Sequence, residues 1–183
     1  TGWQYMALHS ARLAGLKVPE ENFERARKWL DTAGGGKHGG LYGYQRPGVK
    51  WPAMIATGMF CRQLDLVAPT SPMQMESAQQ LRMTPMKKRR PDYYYIYYAT
   101  LALYQHQGPI WRDWNVSLKE VLPTLQEKTG PLEGSWNPSR GLAGTGGRVT
   151  STALATLSLE VYYRILPIYG FRGDAEAAPE IKV

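Results

Sequence analysis

The chain of 183 residues has the composition of a globular domain, since 43% of its residues are hydrophobic and 20% are charged. This composition excludes a disordered chain and allows one hydrophobic core, while the single cysteine excludes an internal disulfide. Its apolar runs are shorter than the roughly 20 residues that a membrane-spanning helix needs. The formal net charge is +7, and the densest basic run is 87–90. We expect that run to be a solvated loop between two helices, so nucleic acid is not a predicted partner.

Helical periodicity dominates the sequence from its first residues to the start of its C-terminal tail. In chain order, the spacing of apolar residues predicts helices over 3–16, 21–33, 51–66, 73–83, 92–107, 111–126 and 150–166. We expect residues 1–170 to form one domain and residues 171–183 to form the tail.

The predicted helices are of two kinds, which alternate along the chain. Segments such as 21–33 are apolar on one face, whereas 51–66 and 92–107 are apolar on more than one face. A pair of the two kinds recurs every 43 to 53 residues or so, which is typical of a helical-hairpin repeat. We therefore predict an all-α fold, an α/α toroid with inner and outer helix layers, of which this chain forms a partial ring.

The segment PDYYYIYYATLALY at 91–104 crowds five tyrosines into two helical turns. Tyr94 and Tyr98 lie on one stripe of the predicted helix, and Tyr93 and Tyr97 lie on a neighbouring stripe. An inner helix buries both stripes, and Asp92 stands where an N-cap is expected. Two interpretations stay open, namely core packing alone and a surface that also binds a ligand.

Two glycine loops follow predicted outer helices at the same spacing. Gly39 and Gly40 precede Leu41 after the first helix, and Gly134 and Ser135 precede Trp136 after the later one. Glycine permits a tight reversal of the chain. We therefore expect these loops to be structural, with the large apolar residue closing the seam between neighbouring hairpins.

The segments GGLYGYQRPG and LQEKTGPLEGSWNP resemble the repeat motifs of squalene–hopene cyclases and protein prenyltransferases. The tyrosine segment, GSWNP and GGRVTSTALATLSLEVYYR resemble, more specifically, bacterial proteins that carry the prenyltransferase/squalene oxidase repeat and have no established activity. The resemblance extends over most of the chain, from Trp3 to Tyr169. It implies the α/α toroid of the terpenoid cyclases and a bacterial origin.

The sequence departs from the catalytic motifs of these families. It contains neither the Asp-x-Asp-Asp motif of the cyclases nor the Asp-x-Cys zinc motif of the prenyltransferases, because Asp65 follows Cys61 in the wrong order and spacing. We therefore expect no metal and no cofactor. Two hypotheses remain, a non-catalytic module that binds an apolar, isoprenoid-like ligand or a protein partner, and a divergent cyclase- or prenyltransferase-like enzyme fragment.

Six residues are the candidate ligand-binding set. Tyr5, Trp51, Tyr94 and Tyr98 are predicted to line one apolar cavity, because inner helices of a toroid place residues of similar height around one axis. His9 lies on the first inner helix and is expected to face the same lumen. Glu160 interrupts an apolar helix, and the alternative for it is a salt bridge with Arg164.

Since the chain begins at Thr1, we expect a fragment or a processed product of a longer protein, with the cytoplasm and the cell envelope both open as compartments.

Overall fold

A computed structural model describes residues 1–45, 51–138 and 144–164. The helices are α1 (Gly2–Leu13), α2 (Glu20–Ala33), α3 (Pro52–Leu64), α4 (Pro72–Arg82), α5 (Tyr93–His106), α6 (Gly108–Val121), α7 (Gly147–Leu159) and α8 (Val161–Arg164). A 3₁₀ turn follows α6 at Leu122–Leu125, and two-residue strands β1 (Gly34–Gly35) and β2 (Leu41–Tyr42) pair antiparallel. The prediction of an all-α fold is confirmed. The predicted tail, 171–183, lies outside the described residues.

The helices form two rows. In one row α1 contacts α3, α3 contacts α5, and α5 contacts α7. In the other row, α2 packs on α1, α4 on α3, and α6 on α5, while α4 also contacts α6. Along the chain, each of the helices α1, α3 and α5 is followed by a helix of the second row.

Helix α5 is the centre of the core. Every residue from Tyr93 to Gln105 is buried, because α5 is contacted by α3, α4, α6 and α7. In α2, by contrast, burial is restricted to Phe23, Leu30 and Ala33 on one face. The difference between the two kinds of helix in the sequence is thus a difference in the number of packing partners.

Local capping sets the start of α5. The carboxylate of Asp92 accepts a hydrogen bond of 3.1 Å from the backbone N–H of Tyr95, as predicted. Burial raises the pKa of the Asp92 carboxyl, while the backbone N–H groups of Tyr95 and Tyr94 oppose that rise. The cap supplies an acceptor for a backbone donor that has no partner within the helix.

The first glycine loop joins α2 to β2 and is held by α4. The Glu76 carboxylate accepts hydrogen bonds from the backbone N–H groups of Lys37, His38 and Gly40 at 2.7 to 3.0 Å. Gly40 packs so closely on α4 that a Cβ there would lie 2.3 Å from the carbonyl oxygen of Met73. The loop is therefore positioned by a side chain that lies 36 to 39 residues further along the chain.

The second glycine loop has a similar design. Gly134 has a φ of +81°, and its N–H donates to the Glu127 carbonyl at 2.9 Å. Trp136 pairs with Gln126 in an antiparallel bridge, is buried, and donates from its indole nitrogen to the Leu122 carbonyl at 2.8 Å. Leu41 of the first loop is buried in the same hydrophobic cluster as Trp136. Both loops therefore return a large apolar side chain to the core.

Candidate ligand-binding cavity

A cavity of about 290 Å³ lies where α1, α2, β2, α3 and α5 meet. We call it the aromatic cavity, because four rings line it together with two apolar side chains: Trp29, Tyr42, Tyr44 and Tyr94, with Leu30 and Met54. Its wall also includes the polar residues Thr1, Gln45 and Thr57. Trp29 and Tyr44 are partly exposed at the surface, whereas Tyr42 and Tyr94 are buried. The cavity therefore extends from an exposed aromatic rim to a buried aromatic floor.

Close helix packing shapes this floor. A Cβ on Gly58 of α3 would lie 2.3 Å from the Cγ atom of Tyr42, so the absence of a side chain at Gly58 lets the Tyr42 ring lie against the helix. At the other side, a Cβ on Gly2 would lie 2.4 Å from Thr57 and 2.7 Å from the Tyr98 hydroxyl. The two glycines thus bring β2 and α1 against the α3–α5 pair.

The polar groups of the floor are bound within the protein or held neutral. The Tyr42 hydroxyl donates to the Met73 sulfur at 3.2 Å and accepts a hydrogen bond of 3.4 Å from Arg62 Nε. Arg62 in turn pairs with Asp31. Burial raises the pKa of the Cys61 thiol to about 12, so at neutral pH the thiol is protonated and a poor nucleophile.

A polar cluster lies between α1, α2 and the end of α3. The Tyr5 hydroxyl donates to Asp65 Oδ1 at 2.5 Å, Arg27 contacts the same oxygen at 3.3 Å, and His9 Nε2 lies 3.9 Å away. Asp65 follows the last residue of α3, where the helix dipole disfavours a negative charge. Arg27 offsets that cost. Burial lowers the pKa of His9 and raises the pKa of Tyr5, so both side chains are neutral at pH 7.

The predicted ligand-binding residues are divided among different parts of the structure. Tyr94 lines the aromatic cavity, and the Tyr98 ring is buried 4.9 Å from the Tyr94 ring. Trp51 is 54% exposed and lines a second cavity. Tyr5 and His9 belong to the cluster around Asp65. The structure therefore does not bring Tyr5, Trp51, Tyr94 and Tyr98 around one cavity, and a ligand role for each stays a prediction.

Glu160 lies at the C-terminal end of α7, where its backbone N–H donates to the Thr156 carbonyl at 3.0 Å. Its predicted salt bridge involves the Arg164 side chain, which lies outside the described part of the chain. Glu160 is not among the residues of the aromatic cavity or of the second cavity.

Sequence reasoning missed Trp29 and Tyr42 as cavity residues and Asp65 as the centre of the polar cluster. Trp29 lies outside the single apolar face that the sequence predicts for segment 21–33, and Tyr42 directly follows Gly39-Gly40-Leu41. A carboxylate at the end of an apolar helix needs a cationic or hydrogen-bonding partner. That requirement predicts a polar cluster around Asp65, although it does not identify Arg27 or Tyr5 as the partners.

Comparisons of the chain with protein-family models, curated proteins and solved structures found no match. The resemblance to the cyclase and prenyltransferase repeats accordingly stays a prediction. None of the helices in the described ranges has the length and apolar character to cross a membrane. Within residues 1–45, 51–138 and 144–164, no group of three His, Cys, Asp or Glu side chains is arranged to hold a metal ion.

Proposed function

We propose that this chain is an arc of an α/α toroid that binds a small apolar molecule, of the size of a short isoprenoid, in the aromatic cavity. The alternation of hairpins in two rows supports the toroid, and so does the resemblance of the two glycine loops to cyclase repeats. The ligand is of the class expected from the sequence. Its proposed site is the junction of α1, α2, α3 and α5, and not an axis shared by all inner helices.

The proposal depends mainly on the presence of the aromatic cavity. Its volume of about 290 Å³ is near the lower end of the range for small-molecule sites, roughly 300 to 1,000 Å³. Ring faces and the flexible thioether of Met54 adapt to apolar chains of variable shape. A short isoprenoid alcohol combines such a chain with one polar end, which the partly exposed rim at Trp29 leaves in contact with water.

Binding rather than reaction is the proposed activity. The Cys61 thiol is protonated, and the Tyr42 hydroxyl is committed to Met73 and Arg62. A general base or nucleophile needs a group poised near the operating pH. The chemistry of these walls therefore favours holding a ligand over transforming it.

Calorimetric titration of the purified chain with geraniol and farnesol tests the proposal. We expect saturable binding that Trp29→Ala weakens by about tenfold, since a rim aromatic contributes on the order of 1.4 kcal/mol. The matched control is Tyr162→Ala, because Tyr162 is exposed to nearly the same degree, 39% against 40% for Trp29, and lines neither the aromatic cavity nor the second cavity.

Two results would contradict the proposal. Absence of saturable binding to either alcohol would remove the apolar-ligand function, and equal losses in the Trp29 and Tyr162 variants would remove the aromatic cavity as the site. Incubation with farnesyl diphosphate followed by mass spectrometry distinguishes the enzymatic alternative, since a released hydrocarbon or alcohol product would demonstrate turnover.

A further inference from the structure

A second cavity, of about 240 Å³, lies between the start of α3, the α4–α5 connection and the first turn of α5. We call it the basic cavity, and its wall includes Trp51, Pro52, Lys87, Arg90, Asp92 and Tyr95. No described residue lines both this cavity and the aromatic cavity. The ring of Trp51 nevertheless lies 6.5 Å from the ring of Tyr44 at the rim of the aromatic cavity. Variants of Lys87 and Arg90 are therefore the ones that separate the two sites.

The connection that carries the two cations is held in place at both ends. The Tyr95 hydroxyl donates to the Thr84 carbonyl at 2.6 Å, and Asp92 caps α5 through the Tyr95 N–H at 3.1 Å. Between them, Arg90 has a φ of +59°, a conformation that residues other than glycine adopt infrequently. Such backbone strain persists where the surrounding structure enforces it, and it concentrates at binding sites.

Lys87 and Arg90 give the cavity an excess of positive charge. Among the residues that the structure describes, neither cation has an ion pair or a side-chain hydrogen bond with another residue. Asp92 contributes one negative charge, but its carboxylate is partly buried and accepts the Tyr95 N–H. Two cations against one carboxylate leave the wall with a charge of +1, and the cations keep their hydrogen-bond donors available for a ligand.

Other residues of the wall are apolar. Trp51 exposes 54% of its surface, and Pro52, Pro85 and Ile96 line the cavity beside it. An exposed tryptophan next to two cations with free donors can contact the apolar part of a molecule whose anionic end reaches the charged groups. The wall therefore combines the two properties that recognise an amphipathic anion.

We propose that the basic cavity binds a small amphipathic anion, with its phosphate or carboxylate between Lys87 and Arg90 and its apolar part against Trp51. Guanidinium and ammonium groups form charge-assisted hydrogen bonds with both kinds of head group. A cavity of about 240 Å³ holds a single head group and a short apolar body. All four residues of the run 87–90 are exposed, but only Lys87 and Arg90 line the cavity, whereas Lys88 and Arg89 do not.

Titration calorimetry with monomeric octyl phosphate at low ionic strength tests this site. The double variant Lys87→Gln/Arg90→Gln should bind at least about tenfold more weakly, because it removes both charge-assisted contacts. The matched control is Lys88→Gln/Arg89→Gln, which removes the same charge from the same run without touching the cavity wall. We expect this control to change affinity by less than about threefold.

A second variant separates the apolar contact from the charge. Trp51→Ala should weaken octyl phosphate by several-fold and leave the weak binding of inorganic phosphate unchanged, since phosphate has no apolar part. Circular dichroism spectra of all variants establish that they are folded. Binding of geraniol and farnesol should stay unchanged in the Lys87→Gln/Arg90→Gln variant, so this proposal and the proposed function fail separately.

Two outcomes would overturn the proposal. Equal losses in the Lys87/Arg90 and Lys88/Arg89 variants would mean diffuse attraction to the whole run, as expected for a polyanion such as nucleic acid. Absence of saturable octyl phosphate binding in the unmodified chain would mean that the basic cavity is not a site for amphipathic anions.

Discussion

Replacing Gly58 by alanine tests the packing that forms the floor of the aromatic cavity. The added Cβ would lie 2.3, 2.4 and 2.7 Å from three carbon atoms of the Tyr42 ring. Nonbonded carbon atoms are normally about 3.5 to 4.0 Å apart. Either the ring or α3 must therefore move by about 1 Å, judged from the same separations.

The ring has little freedom to move. Tyr42 is 2% exposed, its backbone pairs with Gly34, and its hydroxyl contacts Met73 and Arg62. Overpacking of this kind costs roughly 1 to 3 kcal/mol, whereas alanine in a helix interior gains about 1 kcal/mol over glycine. We therefore expect Gly58→Ala to lower the free energy of unfolding by up to about 2 kcal/mol.

Urea denaturation followed by circular dichroism measures this loss, and a double-mutant cycle with Tyr42→Ala assigns it. Once the ring is removed, the added methyl group has space and only the helix-propensity gain remains. Gly58→Ala should then stabilise the Tyr42→Ala protein by up to about 1 kcal/mol. An equal loss in both backgrounds would refute the ring contact as the cause.

Three further predictions concern charge and pH. Glu76→Gln should lower the free energy of unfolding at pH 7 by about 1 to 3 kcal/mol. Burial raises the pKa of Glu76, but its three backbone donors together outweigh burial and hold this pKa below its usual range. In urea titrations the difference between variant and parent should therefore shrink as the pH falls below about 4.3. Burial lowers the pKa of His106 and of His9, so the unfolded chain binds protons before the folded chain does, and stability should fall as the pH drops below about 6.5. His106→Leu should reduce the dependence of the melting temperature on pH in this range, and an unchanged dependence would contradict the assignment to His106. Asp92→Ala should cost about 1 kcal/mol in urea denaturation through loss of the α5 cap, whereas Asp92→Asn should cost less because it keeps an acceptor for the Tyr95 N–H.

The sequence alone determined the features that depend on neighbours along the chain. The spacing of apolar residues predicted the helices, and the Asp92 cap followed from residue type and position. The all-round apolar character of 93–105 predicted that α5 is surrounded by other elements, whereas the single apolar stripe of α2 predicted one-sided packing. These predictions hold because helical geometry alone fixes which residues share a face.

The tertiary structure alone decided which faces meet. Tyr94 and Tyr98 lie on one stripe and are indistinguishable by periodicity, yet Tyr94 lines a cavity while Tyr98 lies against α1 at Gly2. Trp51 is predicted to line one cavity with these two rings, but it directly precedes α3, is half exposed and lines a different cavity. Periodicity sets the direction of a side chain from its own helix. Its surroundings depend on how other helices dock against that helix.

The polar contacts show the same limit at longer range. Glu76 binds backbone groups that precede it by 36 to 39 residues, and Asp65 accepts from a tyrosine 60 residues away. The sequence shows where each carboxylate is, but not which groups donate hydrogen bonds to it. A buried charge requires partners without specifying where in the chain they lie. The partners are fixed only when the packing of the apolar faces brings the elements together.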